Sequence, residues 1–332
     1  MIKKEELQSL YESELKVKLA GLEGLRKSVA KRTLGGIALI ALPIIIGVAI
    51  FVYLDSNNSV SMDGLATVLP FVLIALVITG IVLLILNIKK KKEYRRRFKN
   101  EVVREIVKAI DPDWYYEPDL YIGQNEYYQS DLFRQRFDRY KGDDLISGEI
   151  EKTDFRCSEL HAEYKEVTTD KDGKRQERWI TIFKGLFFHA DFNKHIQANT
   201  YIEPDTAERL FGKFGQKFQM SSKGKLVKLE NIEFEKIFAV YSTDQTEARY
   251  ILTPAIMEAL VNIYKMYKRR MYLSFIGSRV YVAMSFKKDL FEPKIFTSGV
   301  KYSDVEFMFN LFMLNTIIIH ELNLNTRIWT KE

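Results

Sequence analysis

The 332-residue chain has one cysteine, Cys157, and only four histidines. A single thiol excludes a disulfide framework within the chain. The sequence also lacks the motifs of P-loops, dinucleotide-binding turns, HExxH zinc sites, GxSxG nucleophile elbows and CxxC pairs. We therefore predict no cofactor and no catalytic residue. Cys157 lies in a predicted strand, where a buried and inert thiol is the expected state.

Two stretches of the sequence lack charge altogether. Residues 34–54 form a run of 21 uncharged residues, and residues 65–88 form a second run of 24. A helix needs about 20 apolar residues to cross a hydrocarbon core of roughly 30 Å. Both runs therefore predict transmembrane helices. The first run begins after 33 residues, which argues against a cleaved signal peptide.

The connection between the two runs, residues 55–64, lacks lysine and arginine. Basic residues instead flank the spans on the other side, with Lys31 and Arg32 before the first span and a cluster after the second. Loops rich in lysine and arginine stay in the cytoplasm. The sequence therefore predicts an integral membrane protein with two spans, an external loop and both termini in the cytoplasm.

Residues 89–99, called the basic segment below, explain the net charge of the chain. Eight basic residues and Glu93 give the segment +7, whereas the whole chain carries +6, so all other residues together carry −1. The segment either determines the membrane topology alone or, in addition, contacts anionic lipid headgroups. Its position beside a membrane argues against a nucleic-acid partner. The predicted contacts are Lys89, Lys90, Lys91, Lys92, Arg95, Arg96, Arg97 and Lys99.

The segments around the spans read as helices. Residues 1–33 lack proline and place apolar residues at helical spacing, which predicts an amphipathic helix on the cytoplasmic side. This helix has three candidate packing partners: the large domain, a second copy of the chain, or the membrane. Residues 89–110 predict a juxtamembrane helix that ends at Asp111-Pro112.

Residues 111–332 predict a cytoplasmic α+β domain with a mainly antiparallel sheet and a buried C-terminal helix. A pleckstrin-like half-barrel and a barrel around a helix both suit this pattern. The expected strands cover 144–150, 155–167, 178–192, 226–229, 235–241, 247–252, 271–276 and 279–286. The expected helices cover 130–137, 205–211, 254–267 and 303–323. Asp170 to Gly173 predicts a hairpin turn between strands 155–167 and 178–192.

Two groups of polar residues are weak candidates for a site. His189, Asp191 and His195 combine imidazole and carboxylate ligands that suit zinc, but their spacing matches no defined motif, so we predict no metal. Asp244, Glu247 and Arg249 are candidates for binding a ligand or partner. Their alternative role is structural, because an aspartate that ends a strand often bonds its own backbone.

Three motifs carry a resemblance to a known family. They are FKGLFF at 183–188, FEKIFAVYSTDQTEARYILTP at 234–254 and FEP at 291–293. The chain resembles an uncharacterised bacterial family, in which a domain of unknown function follows two membrane spans. The resemblance implies a bacterial inner-membrane setting and no known activity.

These features support two functions, and a third hypothesis, a transport subunit, requires oligomerisation to build a path. The first is a membrane-anchored cytoplasmic interaction module that binds a protein partner or lipid headgroups without catalysis. The alternative is a membrane-associated enzyme acting on a lipid or envelope substrate, which requires one of the two polar groups to converge in a pocket. The sequence leaves the partner protein, the process and the oligomeric state open.

Overall fold

A computed structural model describes residues 4–56, 65–169, 173–191, 196–205, 223–299 and 301–321 of the chain. The chain divides into two compact units. The helical unit comprises Met1–Ile106 and Glu292–Glu306, and the sheet unit comprises Val107–Phe291 and Phe307–Glu332.

The helical unit contains two long helices with a π-helical turn in each. In chain order its elements are α1 (Lys4–Leu10), a π turn (Tyr11–Leu15), α2 (Lys16–Ser56), α3 (Leu65–Phe98), a second π turn (Lys99–Val103) and α4 (Arg104–Ile110), whose end enters the sheet unit. Among the described residues, two helical stretches are long and apolar enough to cross a membrane, Glu5–Tyr53 and Val68–Ile110. They contain the two runs predicted from the sequence.

Helices α2 and α3 run antiparallel and approach closely at two glycines. A Cβ on Gly80 would lie 2.8 Å from the backbone oxygen of Gly36, so neither position has room for a side chain without a shift. Nearer the basic segment, the amide of Asn87 donates to Val29 O at 3.1 Å and to Thr33 Oγ1 at 2.8 Å. Small residues and an interhelical amide are typical contacts between membrane helices.

The N-terminal segment is helical from Lys4 and continues into α2 without a break in helical backbone. Its apolar face is buried, and Lys18 pairs with Glu105 of α4 at 3.5 Å. This contact with the helical extension beyond α3 was not among the three packing partners considered. The buried apolar residues of this face are Leu7, Tyr11, Leu15, Leu19, Leu22 and Val29.

The described residues of the sheet unit form nine strands, all paired antiparallel in the order β1-β2-β3-β4-β9-β8-β5-β7-β6. The strands are β1 (Tyr115–Glu117), β2 (Arg139–Ile150), β3 (Thr153–Thr169), β4 (Arg175–Asp191), β5 (Thr200–Pro204), β6 (Lys225–Val227), β7 (Phe238–Ser242), β8 (Met271–Ile276) and β9 (Arg279–Ser285). The helices are α5 (Gln124–Gln129), α6 (Ile232–Glu235), α7 (Gln245–Ile251), α8 (Pro254–Tyr267) and α9 (Tyr302–Glu321), and α9 begins in the helical unit.

Both faces of the central strands are covered, because side chains alternate between the faces along β3 and β4. On the first face, Phe183 and Phe187 pack in a core cluster with Tyr127 of α5. On the second face, Cys157 lies beside Asn315 of α9. The sequence prediction of an α+β fold with an antiparallel sheet and a buried C-terminal helix is confirmed. So are the β3–β4 pairing and the β8–β9 hairpin.

Two predicted elements are wrong. Residues 130–137 are not helical, because α5 ends at Gln129 and Asp131 takes a left-handed conformation with φ 46. Residues 247–252 form no strand, since Asp244 caps α7 there by accepting from two backbone N–H groups. Helices capped in this way start at the residue that follows the cap.

Other predictions are confirmed with shifted bounds or lie outside the described residues. The strand expected at 235–241 begins only at Phe238, because Asn231 caps the short helix α6 before it. Thr253 caps α8 with Pro254 at its first position, as the sequence predicted. The turn residues 170–172, most of the external loop 55–64, and most of the helix expected at 205–211 lie outside the described residues.

Candidate functional site

The basic segment continues directly from the second predicted span. Helix α3 runs without interruption from Leu65 to Phe98, so the span and most of the basic segment are one helix. At about 1.5 Å per residue, the basic residues extend roughly 15 Å beyond the last residue of the span. The helix therefore fixes their distance from any bilayer that the span crosses.

Five side chains of the segment form no hydrogen bond or ion pair with any described residue. Four of the five are exposed, and Lys90 is half-buried. A cation held next to a bilayer without a protein partner is available to lipid phosphate. The five residues, called the open basic set below, are Lys89, Lys90, Lys91, Lys92 and Arg96.

The remaining three basic side chains are already paired. Arg95 Nη2 and Lys99 Nζ lie 2.5 and 3.1 Å from the same oxygen of Glu292. Arg97 Nε lies 2.8 Å from Glu101. The Lys99 side chain is only 3% exposed, so this geometry argues against Lys99 as a headgroup contact. Glu292 belongs to the FEP motif, which gives that motif a structural role in the helical unit.

Asp244, Glu247 and Arg249 have structural hydrogen bonds. Asp244 Oδ1 accepts from the backbone of Thr246 at 2.7 Å, and the Glu247 carboxylate accepts from the backbone of Ala198 at 2.6 Å. Arg249 Nη2 donates to a backbone oxygen at 3.3 Å. Asp244 and Glu247 line an open, shallow depression that does not include Arg249. The three side chains therefore do not converge on one point.

His189 is buried on the first face of the sheet, between two charged partners. Its Nε2 lies 3.1 Å from Glu126 Oε1, and its Nδ1 lies 2.9 Å from Arg279 Nη1. A guanidinium can only donate, so Nδ1 accepts and the ring proton belongs on Nε2, facing Glu126. Both nitrogens are thus occupied, which leaves no lone pair for a metal. His195 lies outside the described residues, and Asp191 pairs with Arg279 in the sheet register.

Burial, together with the neighbouring Arg279, lowers the pKa of His189 to about 4. The pKa of Glu126 is also held below its usual value: burial opposes this, but a hydrogen bond from Gly123 N and the charge of Arg156 outweigh it. At neutral pH the pair is therefore a neutral imidazole bonded to a carboxylate. Arg156 reaches the same carboxylate at 2.5 Å. This network satisfies its own charges, which is typical of a structural cluster.

Three carboxylates that the sequence reading did not single out lie together where β2 bulges. Oxygens of Asp143, Asp144 and Glu159 lie within 4.8 Å of one another. Glu159 accepts from Leu290 N at 2.8 Å, and burial raises its pKa to about 8. Oxygen ligands of this kind suit hard cations, although acidic groups also cluster without one. Two consecutive aspartates, at the start of the strand predicted at 144–150, were the only sequence signal.

Two further observations bear on a catalytic site. Burial raises the pKa of the Cys157 thiol, which keeps it protonated and unreactive. A partly enclosed cleft beside β6 and β7, lined by Glu203, Phe234 and Phe238 among others, has a cavity volume of about 40 Å³. Pockets for small molecules are typically roughly 300–1,000 Å³. Neither feature has the dimensions or chemistry of a substrate site.

Part of the chain matches a known protein family. Residues 181–324 match a family model described as "Protein of unknown function (DUF3137)". The match covers less than half of the chain but includes all three motifs of the resemblance, and it supports an uncharacterised domain there. The bacterial inner-membrane setting stays a prediction. No curated protein matches the chain.

One solved structure matches the chain at a low level of similarity. The crystal structure of the mycobacterial trehalose monomycolate transport factor A, TtfA, matches 67% of this chain and 93% of its own chain. The identity is 9% and the TM-score is 0.33. A similarity of this size supports no inference about fold or function.

Proposed function

We propose that the chain is a membrane-anchored interaction module. Helices α2 and α3 cross the bilayer, the basic segment binds anionic headgroups, and the sheet unit binds a protein partner in the cytoplasm. One observation carries the proposal: helix α3, whose apolar side chains are exposed, continues directly into the open basic set. The alternative enzyme finds no such support, since neither predicted polar group converges in a pocket of the described residues.

Exposure of α2 and α3 supports the spans. Large apolar side chains point outward along both predicted runs, with Phe51 71% and Phe71 70% exposed. Each square ångström of apolar surface left in water costs about 25 cal/mol. A bilayer removes that cost, whereas the described residues provide no protein surface that covers these side chains.

The distribution of charge supports the orientation. Lys31 and Arg32 precede the first span and the basic segment follows the second, while residues 55–64 contain no lysine or arginine. The positive-inside rule then places both termini in the cytoplasm. A bacterial inner membrane is the setting that the sequence resemblance favours.

Reporter fusions test the topology. A reporter inserted in residues 55–64 is expected to report the external side, and one at the C-terminus is expected to report the cytoplasm. A C-terminal reporter found outside would overturn the proposed orientation and the headgroup side assigned to the basic segment.

Lipid binding is tested with a quadruple variant, K89Q/K90Q/K91Q/K92Q, of the full chain in nanodiscs. Basic residues near an anionic surface contribute about 1 kcal/mol each, so we expect the variant to lose most of its preference for phosphatidylglycerol over phosphatidylcholine. Energy transfer to labelled lipids measures that preference. The matched control, K225Q/K228Q/K287Q/K288Q, removes four exposed lysines of the sheet unit. Equal losses in the two variants would contradict headgroup binding by the basic segment.

Support for a protein partner comes from aromatic side chains on the sheet unit. Tyr121 and Tyr128 are partly exposed and pack against Tyr140 and Phe137, which hold the rings in place. Rigid, partly exposed tyrosines are common at interface centres. Cross-linking capture from native membranes is expected to lose its specific partner in Y121S/Y128S and to keep it in the control Y115S, since Tyr115 is exposed at the sheet edge. An unchanged capture would remove this surface from the proposal.

A further inference from the structure

The loop formed by residues 292–299 is bound to the two juxtamembrane helices inside the helical unit. Arg26 Nη1 of α2 donates to Ile295 O at 2.6 Å, and Tyr94 of α3 donates to Lys294 O at 3.3 Å. Glu292 anchors the start of the loop through its ion pairs with Arg95 and Lys99. Because side chains from both helices hold its backbone, the loop has a defined position along the helix axes.

That position can be measured from the end of the spans. The hydrogen bond between Asn87 and Thr33 joins the residues that directly precede Ile88 and Leu34, so the two predicted span ends lie at the same level. Tyr94 is six residues beyond Ile88, which is about 9 Å at 1.5 Å per residue. Arg26 is eight residues before Leu34, which is about 12 Å. The two helix residues that hold the loop therefore lie at similar distances beyond the span ends.

These distances place the loop beside the headgroup layer. A bilayer is about 40–45 Å thick with headgroups and about 30 Å without them, which leaves roughly 5–8 Å of headgroups on each side. For helices along the bilayer normal, the helix residues that hold the loop therefore lie roughly 2–7 Å beyond that layer. Phe296, which follows Ile295 in the loop, is 60% exposed, and Thr297 beside it is also exposed.

We propose that Phe296 inserts into the headgroup layer of the bilayer that α2 and α3 cross, so that the loop is a third, interfacial contact with the membrane. Large apolar side chains near the headgroup boundary are typical of interfacial anchors, which pair them with neighbouring basic residues. The open basic set supplies those residues at the same membrane surface. A phenylalanine side chain that stays exposed to water does not gain this free energy of burial. The inference rests on the proposed function, because it needs α2 and α3 to span the bilayer.

Spin-label depth measurements test the insertion. The full chain carries one thiol, Cys157, which is buried, so a C157A background allows single labels at chosen sites. F296C is labelled in vesicles of phosphatidylcholine and phosphatidylglycerol, and collision rates with oxygen and with a water-soluble nickel complex are compared. Two references bracket the scale: I45C in the first span, where Ile45 is 62% exposed, and V17C on α2 far from the span, where Val17 is 68% exposed.

The label at 296 is expected to show a severalfold higher ratio of oxygen to nickel collisions than the label at 17, and a lower ratio than the label at 45. A value equal to that at 17 would overturn the insertion while leaving the spans intact. Shielding from both reagents would also overturn it, because protein rather than lipid would then cover the loop. A water-exposed label at 45 would overturn the spans, and with them both the proposed function and this inference.

Discussion

Helices α3 and α9 are both apolar on nearly every side, yet they differ in what covers them. Along the second predicted span, most large side chains of α3 are exposed. Along α9, Leu311, Phe312, Leu314 and Ile319 are almost completely buried. Phe312 stacks on Phe291 with ring centroids 4.5 Å apart.

The difference shows what an all-round apolar helix can and cannot tell. Such a pattern indicates that a helix leaves water, but not whether lipid or protein receives it. Ionisable residues distinguish the two cases here. The run 65–88 has no ionisable side chain, whereas α9 contains Glu306 and His320. Side chains of that kind are costly in lipid and are tolerated where protein surrounds them.

The largest loss of stability is expected from removing a buried side chain of α9. Phe312→Ala removes a buried ring and should destabilise the sheet unit by about 3–5 kcal/mol. Phe307→Ala, at a residue of the same helix that is 47% exposed, should cost far less. Urea unfolding followed by fluorescence of Trp114 and Trp179 measures both variants. Similar losses would mean that α9 is not part of the core.

A charge placed in α3 tests the opposite environment. Ile78→Asp introduces a carboxylate near the centre of the second predicted span, where insertion scales give a cost of about 2.5–3.5 kcal/mol. We expect a reduced fraction of membrane-inserted chain in a translocation assay. Val17→Asp, on α2 but outside the span, should insert normally. An Ile78→Asp chain that inserts as well as wild type would show that α3 is not surrounded by lipid.

The sequence predicted elements whose signal is local. Uncharged runs predicted the two long apolar helices, and alternating aromatic residues predicted β3 and β4. The Thr253-Pro254 pair predicted the start of α8. The strand expected at 247–252 was wrong, because the helix cap at Asp244 is also a local signal and decides between strand and helix there. Propensity over six residues is weaker than one satisfied cap.

Sites were harder to predict, because their residues meet only in the folded chain. His189 binds Glu126 and Arg279, which are 63 and 90 residues away. Lys99 looks like its basic neighbours in the sequence, and Glu292, its partner, follows almost two hundred residues later. No spacing rule connects such pairs, since strand order and loop path bring them together. The sequence predicted the eight basic residues of the segment as one group, because their position depends only on the distance from the predicted span. It did not separate the open basic set from the three paired residues.

Glu159 is a buried carboxylate on the second face of the sheet, the face that also carries Cys157. It accepts from Leu290, the neighbour of Phe291. Burial, together with the charges of Asp143, Asp289 and Asp144, raises its pKa to about 8 from 4.5. Its protonated form is therefore favoured in the fold. The stability it contributes is complete below about pH 4.5 and is lost as the pH rises through about 8.

Glu159→Gln should remove this pH dependence, because glutamine stays neutral. We expect the variant to be more stable than wild type by roughly 1–3 kcal/mol at alkaline pH, with little difference in acid. Melting temperatures from about pH 5 to about pH 9 measure the effect. Glu126→Gln is the matched control: the pKa of Glu126 is lowered, so that variant should lose stability at neutral pH. A steep alkaline loss that persists in Glu159→Gln would assign the titration to another group.

The smallest effects are expected from alanine substitutions at two glycines of the α2–α3 pair, one at the helix contact and one away from it. A Cβ on Gly80 would lie 2.8 Å from Gly36 O and 3.0 Å from Leu39 Cβ, so Gly80→Ala forces α2 and α3 apart and should cost about 1–2 kcal/mol. A Cβ on Gly35 meets nothing within 4 Å. Gly35→Ala should therefore be neutral or slightly stabilising, since alanine favours helix over glycine by up to about 1 kcal/mol. Cysteine cross-linking between the two helices, scored against denaturant, measures both. Opposite signs would confirm that α2 and α3 pack closely at Gly80, whereas equal signs would mean that the helices do not pack there.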